Sequence, residues 1–301
     1  MANLDRIRLL VRVSRPIAWV LPPSTFFLGI LQSGSYPQLL PAALLAFAFS
    51  IPLCLILFGV NDVYDHDSDM INPRKGEAWD GARLPKTDQH LTLFAANVST
   101  VLIFLFALPV SIQSPQVMGY VILSIFIAWT YSAPPLRFKE RPFMDSLSNG
   151  ICCWSVWAAG YAASGDKDLA HHGSDVIRDG LFIVSLGSAF HSLAATLDAE
   201  ADAAVKQRTI ATVSGVRLTA LFSMLCFIFG AMLVEPWTDI AICSVASATV
   251  PLGVLVLHLV APSFKSDIAR YFGISVVFGV PVWCLKSMYY VKRGWDANRT
   301  F

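Results

Sequence analysis

Long apolar runs separated by short polar stretches set the rhythm of this chain. A helix that crosses a bilayer needs about 20 mainly apolar residues. Nine segments read as such spans: about 17–33, 39–60, 91–112, 117–133, 146–164, 178–197, 215–234, 237–260 and 268–290. The longest polar stretch is 61–90, and no low-complexity linker divides the chain. The pattern predicts an all-α, polytopic membrane protein, with about nine transmembrane helices bundled around a central cavity in a single domain, 1–301. Composition supports this: 55% of residues are hydrophobic and only 14% charged, against about 25% charged in a soluble domain. The start, MANLDRIRLLVRVSRP, is basic and amphipathic, with no cleavage-like site after a short apolar core, so no cleavable signal peptide is expected.

Charge adds an orientation. Cytoplasmic loops carry an excess of Lys and Arg. With the N-terminus inside, sixteen Lys and Arg fall on the cytoplasmic side and six on the other. The net charge of +1 gives no reason to expect nucleic acid as a partner. The six cysteines lie in apolar segments without a CxxC pair, so they read as small buried hydrophobes.

The chemistry gathers at two span ends. After the second apolar run comes GVNDVYDHDSDMINPRKG, residues 59–76, with Asp62, Asp65, Asp67 and Asp69 close together. In a continuing helix, Asn61, Asp62, Asp65 and Asp69 share one face. Like charges so arranged repel unless something cationic sits against them. Hard oxygen donors suit magnesium, which binds through a few carboxylates plus substrate phosphates. A solvated loop is the plain alternative, and calcium another, although the EF-hand glycine and terminal Glu are missing. The second cluster ends the sixth run, where Asp198 and Asp202 stand at i and i+4. An ordinary Asp202–Lys206 pair on a wet helix end would also explain part of it. Facing acidic helix ends could hold two or three magnesium ions bridged by a diphosphate, with Lys206 and Arg208 nearby.

Between them lies TYSAPPLRFKERPFMDSLSNG, residues 130–150. Pro134 and Pro135 stop the helix and predict an extended turn. In that turn Arg137 and Lys139 point the same way and can grip diphosphate, or simply anchor the cytoplasmic side. Tyr131, at the head of this stretch, is a candidate substrate contact. Asp145 and Asn149 form an i, i+4 pair, and Asn149 binds substrate or caps and packs. His191, two turns before Asp198, steers an acceptor or is a packed histidine. Tryptophans near the spans (Trp19, Trp129, Trp154, Trp157, Trp283) could shield a carbocation or serve as interface anchors.

These residues resemble a known family. NDVYDHDSD is similar to the NDxxDxxxD motif of the UbiA superfamily of intramembrane prenyltransferases, and DAEAD, residues 198–202, to its DxxxD motif. The span number and the motif positions are similar too, over nearly the whole chain. The wording of the three stretches is nearest the lycopene elongase branch, which attaches C5 units to carotenoid ends. The resemblance implies metal ligation by Asn61, Asp62, Asp65, Asp69, Asp198 and Asp202. It implies diphosphate binding by Arg74, Lys75, Arg137, Lys139, Lys206 and Arg208. The chain departs from the family pattern at Ala201 and Lys206, where glycines are common.

The reaction expected is magnesium-dependent ionisation of a prenyl diphosphate, with transfer to an unidentified lipophilic acceptor in the lipid bilayer. Catalysis would rest on Asp62, Asp65, Asp198 and Asp202. The main rival is a terpene cyclase on the same scaffold, which needs no acceptor. A transporter would place its acids at mid-span in an internal repeat. A CDP-alcohol phosphotransferase would need more than Asp80-Gly81-Ala82-Arg83.

Overall fold

The computed structural model describes residues 2–33, 37–73, 75, 81–163, 173–234 and 239–260. No strand occurs among the described residues. The helices are α1 (Ala2–Val13), α2 (Leu21–Ser33), α3 (Leu39–Tyr64), α4 (His66–Ile71) and α5 (Gln89–Gln113), followed by α6 (Gln116–Thr130), α7 (Met144–Ala163), α8 (Gly173–Ala204), α9 (Ile210–Met232) and α10 (Asp239–Val260).

The first eight expected spans each fall on one of these helices. Five are long and apolar enough to cross a membrane: 39–64, 86–113, 176–204, 210–232 and 241–260. The others are short or polar. Helix α2 has 13 residues and α6 has 15, while α7 opens with Asp145, Ser146, Ser148 and Asn149. The ninth expected span, 268–290, lies outside the described residues.

Two boundaries differ from expectation for physical reasons. The helix after Thr209 begins at Ile210 rather than 215, because Thr209 and Thr212 form a reciprocal capping box. Gly215, at φ 78°, then breaks it, so the long straight part does start near 215. The turn after Pro135 is not extended. Arg137 takes φ 43° and its N–H bonds to Ala133 O, which leads into a 3-10 turn over Phe138–Glu140.

The described chain forms two compact units. One contains the residues up to Phe138 and the part of α7 from Ser155. The other contains Lys139–Trp154 and the helices from α8 onward. The first is packed around Phe26, Leu45, Phe49, Leu53, Ile56 and Ile103, all buried. The second is built on Leu193, Ala220 and Val254 and on Ala189, Phe227 and Ala248. In lipid, helices associate through small residues and polar contacts rather than hydrophobicity alone. In the first unit Ser124 and Ser155 meet at 2.9 Å, and Trp129 Nε1 donates to Thr100 Oγ1. In the second, Ser223 Oγ donates to Ala189 O.

Helices α2 and α7 touch backbone to backbone at Gly160. A Cβ there would overlap the Phe26 carbonyl, which is helix backbone and cannot give way. Gly160→Ala is therefore expected to destabilise the protein by about 3 kcal/mol through forced separation of the two helices. Thermal unfolding in detergent, compared with Gly119→Ala at an open position, measures this.

Candidate active site

Helix α3 delivers the first acidic motif. It widens into a π-turn over Leu55–Gly59, one turn before Asn61 and Asp62. Such turns re-aim the residues that follow and recur at functional sites. The helix bends at Asp65 (φ −100°, ψ 13°) before α4 begins. The i+4 ladder nevertheless survives the bend: Asp65 N–H bonds to Asn61 O, and Asp69 N–H to Asp65 O. Asn61, Asp65 and Asp69 thus keep the expected shared face.

Asp62 is fully buried. Its Oδ1 accepts from Lys75 Nζ at 2.8 Å and from Arg15 Nη2 at 3.2 Å. Its Oδ2 is buried with no hydrogen-bond partner among the described residues. Lys75 also reaches Asp69 Oδ2 at 2.8 Å. Asn61 Nδ2 donates to Asp65 Oδ2 at 2.5 Å and to Ser132 Oγ, and Arg137 lies 4.0 Å from Asp65 Oδ1. The alternative of a solvated loop fails here, because Asp62, Asp65 and Asp69 are all buried. Tyr131 is half-buried at the C-terminal end of α6. Arg74 lies outside the described residues.

Arg15 is the residue missed in the sequence reading, where it counted only as a basic flank. It stands where α1 gives way to a 3-10 turn over Pro16–Val20, in the left-handed region (φ 52°). Its guanidinium lies 4.4 Å from the Phe58 ring centre, close enough for a cation–π contact. Gly81, at φ 91°, lets the chain pass beside it, since a Cβ would come within 3.0 Å of Arg15 Nε. Nothing in a single sequence separates Arg15 from Arg6, Arg8 and Arg12. The one local sign is the proline that follows it.

In the second unit, α8 carries Asp198 and Asp202 one turn apart. Asp202 is buried and Lys139 Nζ stands 3.6 Å from its Oδ1. The helix ends at Ala204, and Lys206 takes φ 62°. The helical geometry an Asp202–Lys206 pair needs is therefore broken. Lys206 and Arg208 are exposed on the connecting loop. His191 Nδ1 is hydrogen-bonded to Ser146 Oγ at 3.1 Å, and Asn149 Nδ2 donates to Asp145 O. Both side chains thus have a hydrogen-bond partner within the unit. Arg137 and Lys139, expected side by side, pair with different carboxylates: Asp65 in one unit and Asp202 in the other.

Among the described residues no three His, Cys, Asp or Glu side chains are arranged to hold a metal ion by themselves. The first cluster still fits one. Its donors are all oxygens, it contains a bare buried carboxylate oxygen on Asp62, and magnesium completes its shell with phosphates and water.

Burial pushes the Asp69 carboxyl up to about 7, against the opposing pull of Lys75, and the Asp62 and Asp65 charges add to the rise. A carboxyl with a raised folded-state pKa binds its proton more tightly in the folded protein than in the unfolded chain. Its contribution is fully present below the unfolded value and is lost as pH climbs through the folded one. Metal-free protein is therefore expected to lose thermal stability between about pH 4 and about pH 7. Unfolding scans with a chelator check this, and Asp69→Asn should flatten that slope.

Residues 20–278 match the profile of the UbiA prenyltransferase family. The chain is 35% identical over 234 residues to a lycopene elongase/hydratase of Corynebacterium glutamicum, covering 77% of this chain and 78% of that one. It is 31% identical over 235 residues to a lycopene elongase/hydratase of Haloferax volcanii, covering 76% and 72%. Among solved structures, a UbiA homologue from Archaeoglobus fulgidus bound to DMAPP and Mg2+ superposes with TM-score 0.62 at 16% identity, over 92% of this chain and 99% of that one. A UbiA homologue from Aeropyrum pernix K1 gives TM-score 0.67 at 16% identity, over 91% and 99%. At such identity these two likenesses establish the fold.

Proposed function

The chain belongs to the UbiA prenyltransferase family, and from that premise we propose that it transfers a C5 prenyl group from its diphosphate to a linear carotenoid. It is an integral membrane prenyltransferase. The donor and acceptor assigned here follow the relatives named lycopene elongase/hydratase. The observation that carries a diphosphate site is Asp62: a fully buried carboxylate at the end of an apolar helix, with one oxygen on Lys75 and Arg15 and the other without a hydrogen-bond partner among the described residues. Lys75 and Arg15 offset the charge of this buried carboxylate, and an ionisable group at such a depth marks a functional site.

Asn61, Asp62, Asp65 and Asp69, together with Asp198 and Asp202, would hold magnesium. Two or three such ions, when bound there, would supply positive charge to the leaving diphosphate. Lys75, Arg137, Lys139, Lys206 and Arg208, with Arg74 and Arg15, neutralise the remaining phosphate oxygens. As the allylic C–O bond breaks, its electron pair goes to the diphosphate, and these cations stabilise the charge that develops there. The apolar interior of the bundle keeps water from the cation. A double bond of the acceptor supplies the π electrons for the new C–C bond. A proton is then lost from the carbon beside the resulting cation, giving the prenylated product and free diphosphate. The excess of Lys and Arg on one side favours an N-terminus and both motifs facing the cytoplasm.

The test is product analysis. Purified protein with magnesium is given C5, C10, C15 and C20 prenyl diphosphates, alone and with lycopene or a membrane lipid extract. The expected result is turnover only when an acceptor is present, with product mass raised by C5 units from the C5 donor. A cyclic hydrocarbon or terpene alcohol formed from one diphosphate alone would replace this reading with a terpene cyclase.

A further inference from the structure

Asp145 opens α7 and is fully buried. Its Oδ1 accepts the N–H of the next residue, Ser146, at 2.7 Å. Its Oδ2 accepts the N–H of Ile210, also at 2.7 Å, which is the first residue of α9. The free donors at the start of α9 show why this bond exists. Thr209 Oγ1 takes the Thr212 N–H, and Thr212 Oγ1 takes the Thr209 N–H. The Ile210 N–H is buried and outside that exchange, and Asp145 satisfies it. Phe143 packs edge-on against Phe222 at 5.4 Å, holding the same two segments together.

The five residues between α8 and α9, Val205–Thr209, begin three positions after Asp202. At their near end, Gln207 N–H bonds to Asp202 O. At their far end, the chain is fixed through Ile210 by Asp145. Gln207 and Thr209 are buried, while Lys206 and Arg208 face outward.

We propose that Asp145 is a positioning residue for the transfer reaction. Its carboxylate bridge between the starts of α7 and α9 fixes the loop that presents Lys206 and Arg208 to the diphosphate. This rests on the diphosphate-transfer reading above. A carboxylate is required because two backbone N–H groups must be accepted at once. An asparagine offers one oxygen and turns an NH2 toward the second donor.

The experiment uses full-length protein in detergent. Asp145→Asn is compared with Ile210→Pro, which deletes the N–H that Asp145 accepts at a helix position where proline is tolerated. Thr209 already has the extended backbone that precedes proline comfortably. Two quantities are read: amide hydrogen exchange across 203–212, and the KM and kcat for dimethylallyl diphosphate with magnesium and acceptor. In each variant, exchange in that segment is expected to quicken and KM to rise by about tenfold, with kcat changed by less than about threefold. The double variant should do no more than the stronger single one. In a background of Lys206→Gln with Arg208→Gln, Asp145→Asn should leave KM where it finds it.

Unchanged exchange in both single variants overturns the proposal, and so does faster exchange with unchanged KM. Ile210→Pro reads the contact whether or not Asp145→Asn folds. A wild-type protein that neither binds nor turns over any prenyl diphosphate overturns the underlying reading instead, and the exchange arm still decides whether Asp145 sets the loop.

Discussion

Asp62→Asn is expected to lower turnover by about a thousandfold. Asparagine preserves the volume of a fully buried side chain, so packing changes little. Its amide oxygen can still accept from Lys75 and Arg15, which now bond to Asp62 Oδ1 at 2.8 and 3.2 Å. The substitution removes the negative charge and replaces one carboxylate oxygen with an NH2. The cluster then lacks the oxygen that is bare in this structure, and its excess of cations repels a divalent ion. Removing one partner of a buried ion pair costs up to about 4 kcal/mol when the other is left uncompensated. Lys75 retains Asp69 at 2.8 Å, so the loss here should be smaller than that. Turnover of a prenyl diphosphate and thermal unfolding, measured side by side, separate the two effects. A folded Asp62→Asn protein that works within about tenfold of wild type would remove Asp62 from the site.

The acidic motifs were readable because helical spacing carries over a bend. Asn61, Asp65 and Asp69 keep their face even though α3 ends at Tyr64, since the i+4 hydrogen bonds continue through Asp65. Asp198 and Asp202 were readable for the same reason, on an uninterrupted α8. The cations were harder to assign. Period-two reasoning placed Arg137 and Lys139 together, but a left-handed residue and a 3-10 turn follow the paired prolines, and no periodicity applies there. Arg15 and Asp145 act through contacts 47 and 65 residues away in sequence. Such tertiary contacts leave no mark in a local pattern. Polar side chains in spans often signal function, so Asn149 and His191 read as substrate contacts or as packed side chains. The structure gives each a partner inside its own unit: Asp145 O for Asn149 and Ser146 for His191. The ends of spans were legible to within a few residues where proline or glycine marks them, as at Pro134 and Gly215. They were less so where a cap such as Thr209 fixes the start.

Asp198→Ala should be the cleaner probe of the second motif, with turnover reduced by at least about a thousandfold and little change in thermal stability. The two aspartates of α8 differ in what their loss would expose. Asp202 is buried with Lys139 Nζ at 3.6 Å, and that lysine is itself mostly buried. Truncating Asp202 takes a buried carboxylate away from Lys139, so lost activity would be mixed with lost structure. Asp198 is only half-buried, and alanine suits a helix, so water can fill the space the carboxylate leaves. The substitution removes a carboxylate at i−4 from Asp202, on the helix that leads into the loop of Lys206 and Arg208. Magnesium dependence should also shift. If Asp198 ligates the ion, half-maximal turnover should need more magnesium than in wild type, because a site that has lost an oxygen donor binds the ion more weakly. Turnover across a magnesium series, with unfolding measured on the same preparations, gives the answer. A well-folded Asp198→Ala protein with near wild-type turnover would show that Asp198 does not ligate the metal, and any contribution of α8 would then rest on Asp202.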